Sequence, residues 1–529
     1  MTGPNRLFPF TEPREAVNWC VIGLALALVV FFDLQSNFPL ADEAFRRWTL
    51  ERAIQGHGLS LQGFSPDIPQ MIAAAPLALL RIEPRFWRLT GIPFLLLGAV
   101  FTARTARHMG ADRFWSSVAA ATAVTSPITL SLATGMMTET ASIGLFAAAT
   151  YFAVTWVADG TGRTWCLVFC FLAVLERQQA LLLLPAVAAG LLLLGGGRWR
   201  NRTDLTVFIG TALAIGAAFA VPWYFRHEIR LAPSGFEIND PILNGIFVIE
   251  YLPVMLAFLC LPLAAGLWRS EPGETKQAGR WQLVVLGVLG MAIALSLIRT
   301  FAWNLQIFPG LVLSAFGLGS IFQHGYQYKA AVLPTPVFLG LEALTLGVAV
   351  VLFGKRRAIW SPRLLGAPGT VLLLAGLSQV VLMILTKQAF DRYYVMVALP
   401  IIPMLAAVAT RTNPQSRLAQ RWAVGALATG VLFFAVGEQD YISWELAMDR
   451  VATVAYTLAP PGEVYAGHEE EGIHVDLPRA EGLPVAPLAA HPRVSVEFVP
   501  DRRHAFACYT SVASGCLGIR KDGNLLSPP

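Results

Sequence analysis

The fold class follows from the segment Val17–Gln35, which reads VNWCVIGLALALVVFFDLQ and is apolar along most of its length. A helix needs about 20 mostly apolar residues to cross the hydrocarbon core of a bilayer, and this segment has that length. Arg6 and Arg14 precede it, and no small-residue cleavage site is evident. These features are typical of a signal anchor, which stays in the membrane, and not of a cleaved signal peptide.

Similar apolar runs recur along most of the 529 residues, of which 55% are hydrophobic and 14% are charged. Ordinary soluble domains carry about 25% charged residues, so this composition excludes a soluble globular protein. Lipid cannot satisfy backbone polar groups, so the spans should be helices. The sequence predicts an all-α polytopic membrane protein with about thirteen transmembrane helices. The predicted spans are Val17–Gln35, Trp87–Ala106, Phe114–Ala133, Thr140–Val157, Thr164–Leu175, Ala180–Leu194, Leu205–Tyr224, Ile246–Trp268, Trp281–Phe301, Val337–Phe353, Thr370–Leu385, Tyr394–Ala409 and Trp422–Val436.

The positions of Lys and Arg set the predicted topology. The net charge is +5, but the basic residues lie in short loops between spans, which indicates membrane orientation and not nucleic-acid binding. With a cytoplasmic N-terminus, every even-numbered span leads into a basic loop, as at Arg104, Arg198, Lys355 and Arg417. We therefore expect a multi-pass protein of the cell (inner) membrane with no nucleic-acid partner.

An odd number of spans places the C-terminal tail outside the cytoplasm. The sequence then divides into a transmembrane domain, residues 1–436, and a small extracytoplasmic domain, residues 437–529, expected to be α/β or β-rich. Cys508 and Cys516 lie in this tail, where oxidising conditions favour a disulfide. Residues Asn304–Pro336 are predicted to form an outer loop, with a re-entrant or interfacial helix as an option, because a span there would move later basic loops outside.

The first outer loop, residues 36–85, contains an acidic pair, Asp42-Glu43. The segment Ala44–Gln55 alternates apolar and charged residues and is predicted to be an amphipathic helix lying in the membrane interface. A second apolar helix is predicted over Gln70–Leu80. An Asp at the start of a helix also has a plain structural interpretation as a cap, so the pair alone does not decide function.

Three further ionisable residues fall on the same predicted outer face. Glu139 opens the fourth span, where the helix dipole favours a carboxylate. Arg177 lies in the turn between the fifth and sixth spans, either as an interfacial anchor or as a phosphate ligand. Arg392 opens the twelfth span and has Asp391 as a candidate ion-pair partner. Each residue alone has a structural explanation, but their grouping on one face favours a functional site.

These residues also carry a resemblance to the GT-C superfamily of glycosyltransferases that use lipid-phosphate sugars. Within it, the chain is similar to the branch of the protein O-mannosyltransferases and the lipid A aminoarabinose transferases. The resemblance covers roughly residues 17–410, and a departure, Ser65-Pro66-Asp67-Ile68-Pro69 in place of the Lys-Pro-Pro of some members, leaves the substrate open. The matching residues are Asp42-Glu43 after the first span, Arg88 in Phe-Trp-Arg-Leu at the second, Glu139 in Thr-Glu-Thr at the fourth, Arg177 before a Leu-rich run containing Pro185, and Arg392 in Asp-Arg-Tyr at the twelfth.

The resemblance implies an inverting transfer of a sugar from a polyprenyl-phosphate donor to a lipid, glycan or protein acceptor outside the cytoplasm. It makes Asp42 the candidate general base, and a carboxylate near the low-dielectric bilayer boundary can have its pKa raised toward the working pH. Glu43 and Glu139 would position the acceptor or bind a metal. Some members use a divalent metal ion, for which Asp42 and Glu139 are the candidate ligands.

The leaving group of that reaction is a lipid phosphate, whose growing charge needs fixed cations. The guanidinium fork of arginine fits phosphate oxygens. Arg177 is the first candidate for this role, followed by Arg392 and Arg88.

Two other functions remain open from the sequence. A transporter or flippase of lipid-linked sugars would explain the spans and the arginines, but transporters commonly show internal repeats, and none is evident. A non-catalytic membrane scaffold would leave Asp42 and Glu43 as helix caps.

Overall fold

A computed structural model of the protein describes most of the predicted membrane domain and part of the C-terminal tail. The candidate base Asp42 and the predicted spans Leu205–Tyr224 and Trp281–Phe301 lie outside the described residues. The described residues are 13–35, 43–57, 67–194, 241–267, 313–314, 317–318, 335–349, 352, 362–385, 391–412, 416–465, 493–499, 503, 505–510, 514–522 and 524–528.

The described part of the chain is mostly helical. Short 3-10 helices precede α4 and α9, at Pro84–Thr90 and Gln178–Leu182, and a third, Leu261–Leu267, follows α10. The helices are α1 Pro13–Asp33, α2 Glu43–Ile54, α3 Ile68–Leu79, α4 Gly91–His108, α5 Arg113–Val124, α6 Pro127–Ala133, α7 Thr138–Asp159, α8 Arg163–Glu176, α9 Leu183–Leu194, α10 Pro241–Leu259, α11 Thr335–Ala349, α12 Pro362–Leu385, α13 Asp391–Thr412 and α14 Arg417–Leu458.

Six helical segments among the described residues are long and apolar enough to cross a membrane, or seven if the bent pair α5–α6 is one span. The predicted number of about thirteen is thus not confirmed. The six are Glu15–Asp33, Pro84–His108, Thr138–Asp159, Gly366–Leu385, Arg392–Thr412 and Arg417–Leu458.

The predicted single span Phe114–Ala133 consists of two helices, α5 and α6, that meet at 53°. The side chain of Ser126 accepts a hydrogen bond from the backbone N–H of Thr129, as an N-cap does. Pro127 has no N–H and suits the first turn of a new helix. A helix therefore restarts in the middle of this apolar stretch.

Both helices predicted in the first outer loop are present. The prediction Ala44–Gln55 corresponds to α2, and Gln70–Leu80 corresponds to α3. Of the predicted outer loop Asn304–Pro336, the described residues form strands β1, Leu313–Ser314, and β2, Gly317–Leu318, which pair antiparallel before α11 begins at the loop's end.

The long helix α14 continues past residue 436, so it runs through the predicted domain boundary, which stays a prediction. Beyond it a sheet forms in the order β3-β4-β6-β5, with β7 paired to β6. Its buried side chains pack on the α14 residues Trp444, Met448 and Val451. The strands are β3 Val464–Tyr465, β4 Val494–Phe498, β5 Ala507–Thr510, β6 Ser514–Lys521 and β7 Asn524–Leu525.

The predicted disulfide is present in this sheet. Cys508 and Cys516 are direct partners in the antiparallel pairing of β5 and β6, and their sulfurs are bonded. The bridge closes a short loop between two neighbouring strands.

Close helix packing in the membrane depends on small residues, because they let two backbones approach. Gly144 of α7 lies against the backbone of Phe94 in α4, and an added Cβ would collide with the Phe94 carbonyl oxygen and lie 2.9 Å from its carbonyl carbon. Backbone atoms cannot rotate away as a side chain can. The α4–α7 contact therefore requires glycine at this position.

We expect Gly144→Ala to lower stability by about 1–3 kcal/mol, the usual cost of overpacking. Thermal unfolding in detergent can be followed with a thiol-reactive dye, because Cys166, Cys170 and Cys260 are buried in the folded protein. Gly23→Ala in α1 is the matched control, since a Cβ there meets no atom within 4 Å. Equal unfolding temperatures for the two variants would contradict the packing argument.

Candidate functional site

The first residue of α2, Glu43, is completely buried and is held by two arginines. Arg88 donates from Nε to both carboxylate oxygens, at 2.9 and 3.1 Å. Arg47, one turn along the same helix, donates from Nε to Oε1 at 2.9 Å. The N-terminal end of the helix dipole also favours this carboxylate. These contacts define what we call the Glu43 clamp: Glu43, Arg47 and Arg88.

Arg88 joins three parts of the chain at one point. It belongs to the 3-10 helix that leads into α4, it is 1% exposed, and its Nη1 donates to the main-chain oxygen of Asp33 at 3.4 Å. It thus ties the end of α1 and the start of α2 to the start of the second membrane span. Asp42, the residue before Glu43 in the sequence, lies outside the described residues.

Two more buried carboxyl groups lie near the Glu43 clamp. Asp33 interacts electrostatically with Arg88, Glu43 and Glu438, and neither of its carboxylate oxygens has a hydrogen-bond partner among the described residues. Glu438 of α14 accepts a hydrogen bond from Thr134 Oγ1 at 2.6 Å. The end of the first span and the middle of α14 are therefore part of the same electrostatic environment.

A second group of charges centres on Glu139 near the start of α7, which is 1% exposed. Arg177 Nη1 lies 2.6 Å from Glu139 Oε1, and Arg392 Nε lies 3.5 Å from the same oxygen. Arg177 caps the C-terminus of α8, and Arg392 is the second residue of α13. Residues from three separate helices thus meet at one carboxylate.

Tyr393 packs between the two arginines of this group. The guanidinium carbons of Arg177 and Arg392 lie 5.1 and 5.2 Å from the centre of its ring, within the range of cation–π attraction. Arg392 Nη2 also donates to the Tyr393 hydroxyl at 3.4 Å. The ring and Glu139 together offset the repulsion between two neighbouring cations.

Arg46 connects the first outer loop to the start of α7. Its Nε donates to Asp67 Oδ2 at 2.7 Å, and its Nη1 donates to the main-chain oxygen of Met136 at 2.6 Å. Asp67 precedes α3 with φ of 54°, a left-handed conformation in which Asp is found more often than most residues. Arg46 therefore fixes α2 and α3 against the helix that carries Glu139.

Glu176 at the end of α8 reaches the N-terminus of α3, where the backbone N–H of Gln70 donates to its Oε2 at 3.0 Å. Glu176 Oε1, Asp67 Oδ1 and both side-chain amide atoms of Gln70 are buried without a hydrogen-bond partner among the described residues. Buried polar atoms in native proteins nearly always have partners, so this place can receive further hydrogen bonds. A ligand with hydroxyl groups has the required donors and acceptors.

Burial controls the protonation of this acidic pair. It raises the pKa of Asp67 to about 6, against the opposing effect of the Arg46 charge and hydrogen bond. It also raises the pKa of Glu176 well above its usual range, and the nearby Asp67 charge adds to the effect. At neutral pH the surroundings of Arg177 are therefore more positive than a simple count of carboxyl groups suggests.

Five of the six predicted site residues are among the described residues, and they form two groups. Glu43 and Arg88 contact each other, and Glu139, Arg177 and Arg392 contact each other; their predicted catalytic and phosphate-binding roles stay predictions. Arg88 contacts Glu43 and the main-chain oxygen of Asp33. No role could be assigned from the sequence to Arg46, Asp67, Gln70 or Glu176, because an amphipathic pattern shows which side chains are polar but not which partners they meet.

A metal ion at this site stays a prediction as well. The described residues contain no group of three or more His, Cys, Asp or Glu side chains that could hold a metal ion. Glu139, one of the two predicted ligands, is engaged by Arg177. Asp42, the other, is outside the described residues.

Comparison with known proteins gives a structural likeness only. No protein-family model matches the chain, and no curated protein matches it. Among solved structures, it is similar to ArnT from Cupriavidus metallidurans in the apo state, with 17% identity, a TM-score of 0.41, and coverage of 97% of this chain and 100% of ArnT. The same protein bound to undecaprenyl phosphate matches with 16% identity, a TM-score of 0.38 and the same coverage.

Both TM-scores are below 0.5 and both identities are below 25%, so the likeness carries no argument about activity or substrate.

The Glu43 clamp predicts strong coupling between Glu43 and Arg88. Removing one partner of a buried ion pair costs about 3–5 kcal/mol, because the other charge stays buried. We expect Arg88→Met and Glu43→Gln each to lower the thermal unfolding midpoint strongly. The loss of unfolding free energy in the double variant should be smaller than the sum of the two single losses, by at least about 1 kcal/mol.

The control for that cycle is the pair Arg85–Glu83 in the same segment. Arg85 Nε lies 2.8 Å from Glu83 Oε2, but the two side chains are 32% and 54% exposed. Exposed pairs contribute about 0–1 kcal/mol, so Arg85→Met and Glu83→Gln should be additive within error. If the stability losses of Glu43→Gln and Arg88→Met are also additive, the coupling between Glu43 and Arg88 is absent.

The raised pKa of Asp67 predicts a pH-dependent stability. Its unfolded pKa is about 3.9, so between about pH 4 and 6 the folded protein binds the proton more tightly. The free energy of unfolding should fall as pH rises through this window, by at most about 3 kcal/mol. Asp67→Asn cannot ionise, so its unfolding midpoint should fall less between pH 4 and 7 than that of the wild type. An equal fall in both proteins would show that Asp67 is not the titrating group.

Proposed function

We propose that the protein is an inverting glycosyltransferase of the GT-C type, which transfers a sugar from a polyprenyl-phosphate donor to a hydroxyl of a lipid, glycan or protein acceptor. The observation that carries the proposal is the convergence of Arg177 and Arg392 on the buried Glu139 at one end of their helices. Ionisable groups at the membrane are costly and are usually kept for function. Here two cations meet at one carboxylate.

The two arginines suit a phosphate leaving group. Each guanidinium has five N–H donors, and the hydrogen bond from Arg177 to Glu139 engages one of them. In the proposed reaction, the bond between the anomeric carbon and the phosphate oxygen breaks and its electron pair stays on the phosphate. Arg177 and Arg392 would stabilise that charge in a place of low dielectric constant.

Asp42 is the proposed general base. It would accept the proton of the acceptor hydroxyl as the oxygen forms its bond to the anomeric carbon on the face opposite the phosphate. The Glu43 clamp supports this role, because it fixes the residue next to Asp42. Glu43 itself is engaged by two arginines, so its carboxylate is better suited to holding the loop than to accepting a proton.

The polar group of Asp67, Gln70 and Glu176 lies in the same part of the molecule. Arg46 links Asp67 to the start of α7, and Asp67 interacts electrostatically with Arg177 and Glu139. Its unpartnered donor and acceptor atoms match the hydroxyl groups of a sugar. We assign this group to the sugar of the donor or acceptor.

The Cys508–Cys516 disulfide supports an extracytoplasmic location for the C-terminal region, because such bonds persist in oxidising compartments. We propose that the reaction takes place on this same extracytoplasmic side of the membrane. Undecaprenyl phosphate, which is bound in one ArnT structure, is the carrier to test first.

The test is a transfer assay with purified protein and undecaprenyl-phosphate-linked sugars, in which product is measured by mass spectrometry. Asp42→Asn should lower the rate by about 100-fold or more, the usual contribution of a general base. Arg177→Ala should mainly lower kcat, because its contact with the phosphate is strongest in the transition state, and Arg177→Lys should retain more activity. Glu51→Gln on the exposed side of α2 is the control for loss of a nearby carboxylate.

Three results would count against the proposal or one of its parts. Transfer at the wild-type rate by Asp42→Asn would remove Asp42 as the base. Movement of the lipid-linked sugar across vesicles without any transfer product would support the flippase alternative. The absence of both activities, with a partner bound to residues 437–529, would support the scaffold.

A further inference from the structure

A groove of about 810 Å³ lies along the first half of α14, which begins just after α13 ends, whereas Arg392 of the charged site is at the start of α13. Its walls come from the α5–α6 break, α11, the 3-10 helix Leu261–Leu267 and the first half of α14. The lining is mostly apolar, with Phe258, Leu344 and Phe433 among its residues. Ligand pockets in proteins commonly have volumes of about 300–1,000 Å³, so the groove can hold a substantial group.

We expect the end of the groove near the start of α14 to lie at the membrane surface. Arg421 and Trp422 line this end, and the Trp422 indole N–H donates to the main-chain oxygen of Leu261 at 3.2 Å. Arg417 is one helical turn before Arg421, so the two cations share a face of α14. Tryptophan and arginine are typical of the level of the lipid headgroups.

From there the groove continues along α14 past Gly430, which faces Thr125 and Pro127 at the α5–α6 break, to Phe433. Nine residues of helix separate Arg421 from Gly430, which corresponds to about 14 Å at 1.5 Å per residue. This distance is about half of the roughly 30 Å hydrocarbon core. The lining on α14 extends from Leu418 to Phe433, so the groove is long enough for an acyl chain of one lipid leaflet.

We propose that this groove is a binding site for one anionic glycerophospholipid, with an acyl chain along the apolar wall and its headgroup phosphate at Arg421. Lipid fills any apolar groove in the hydrocarbon region, so the charge at the mouth is what makes the site selective. Basic pockets between membrane helices recognise anionic headgroups in this way. The site is separate from the charged residues of the proposed reaction and does not depend on that reaction.

Native mass spectrometry of the detergent-purified protein with added phosphatidylglycerol or phosphatidylcholine tests the site. The wild type should retain about one phosphatidylglycerol in preference to phosphatidylcholine. Arg421→Gln should reduce that preference about fivefold, the effect of one basic residue near an anionic headgroup. The overall shape of the groove is unchanged in this variant, so it tests the charge alone.

A second variant tests the groove itself. Gly425 lines it, and an added Cβ meets no atom within 4 Å, so Gly425→Leu should fill the space and abolish retention of the lipid. Gly347→Leu on α11 is the matched control, because Gly347 is also open to a Cβ and does not line the groove. Unfolding midpoints show whether the Gly425→Leu and Gly347→Leu variants are folded. If Gly425→Leu is not folded, the lipid preference of Arg421→Gln decides whether the groove is the binding site.

Three results would overturn the proposal. Equal retention of the two phospholipids by the wild type would indicate ordinary surrounding lipid only. Full retention by Gly425→Leu would place the bound lipid elsewhere. Retention of added undecaprenyl phosphate instead of phospholipid, lost in Gly425→Leu, would assign the groove to a polyprenyl carrier.

Discussion

The buried contact between Glu43 and Arg88 is the interaction on which the arrangement of the outer face depends. Each partner comes from a different element, and each is almost completely removed from solvent. A lone buried charge would cost several kcal/mol, so neither residue can leave the other without a large penalty. The same guanidinium also contacts the end of α1. The first two membrane spans and the interfacial helix between them are therefore held in one register.

Helix α2 links the Glu43 clamp to the charges around Glu139. Successive residues of an α-helix point about 100° apart, because one turn takes 3.6 residues. Arg47 thus turns toward Glu43, while Arg46 turns toward Asp67 and the main chain of Met136. This 12-residue helix, which the sequence predicts only to lie in the interface, in this way supports two groups of buried charge.

Hydropathy located the long apolar helices, because a membrane span requires a continuous apolar run that is visible in one sequence. It ended α14 at Val436, whereas this helix continues to Leu458. The break in Phe114–Ala133 was missed, although Ser126-Pro127 is a common start of a helix. Glu139, Arg177 and Arg392 could be selected because charges at the ends of apolar segments are conspicuous. Their shared contact, and the pairing of Arg46 with Asp67, depend on tertiary packing between segments far apart in sequence, and no local pattern records it.

The charge balance around Glu139 gives a physical reason why this place would favour phosphate departure. Two arginines and one carboxylate leave one net positive charge beside Tyr393. A sugar linked to a polyprenyl phosphate carries one negative charge on its phosphate, and the released phosphate gains a second. Attraction to the arginines therefore grows as the bond breaks, and only interactions that are stronger in the transition state accelerate a reaction. In the proposed reaction, Glu139 would orient both guanidinium groups before the donor binds, so that little reorganisation would be needed when the charge develops.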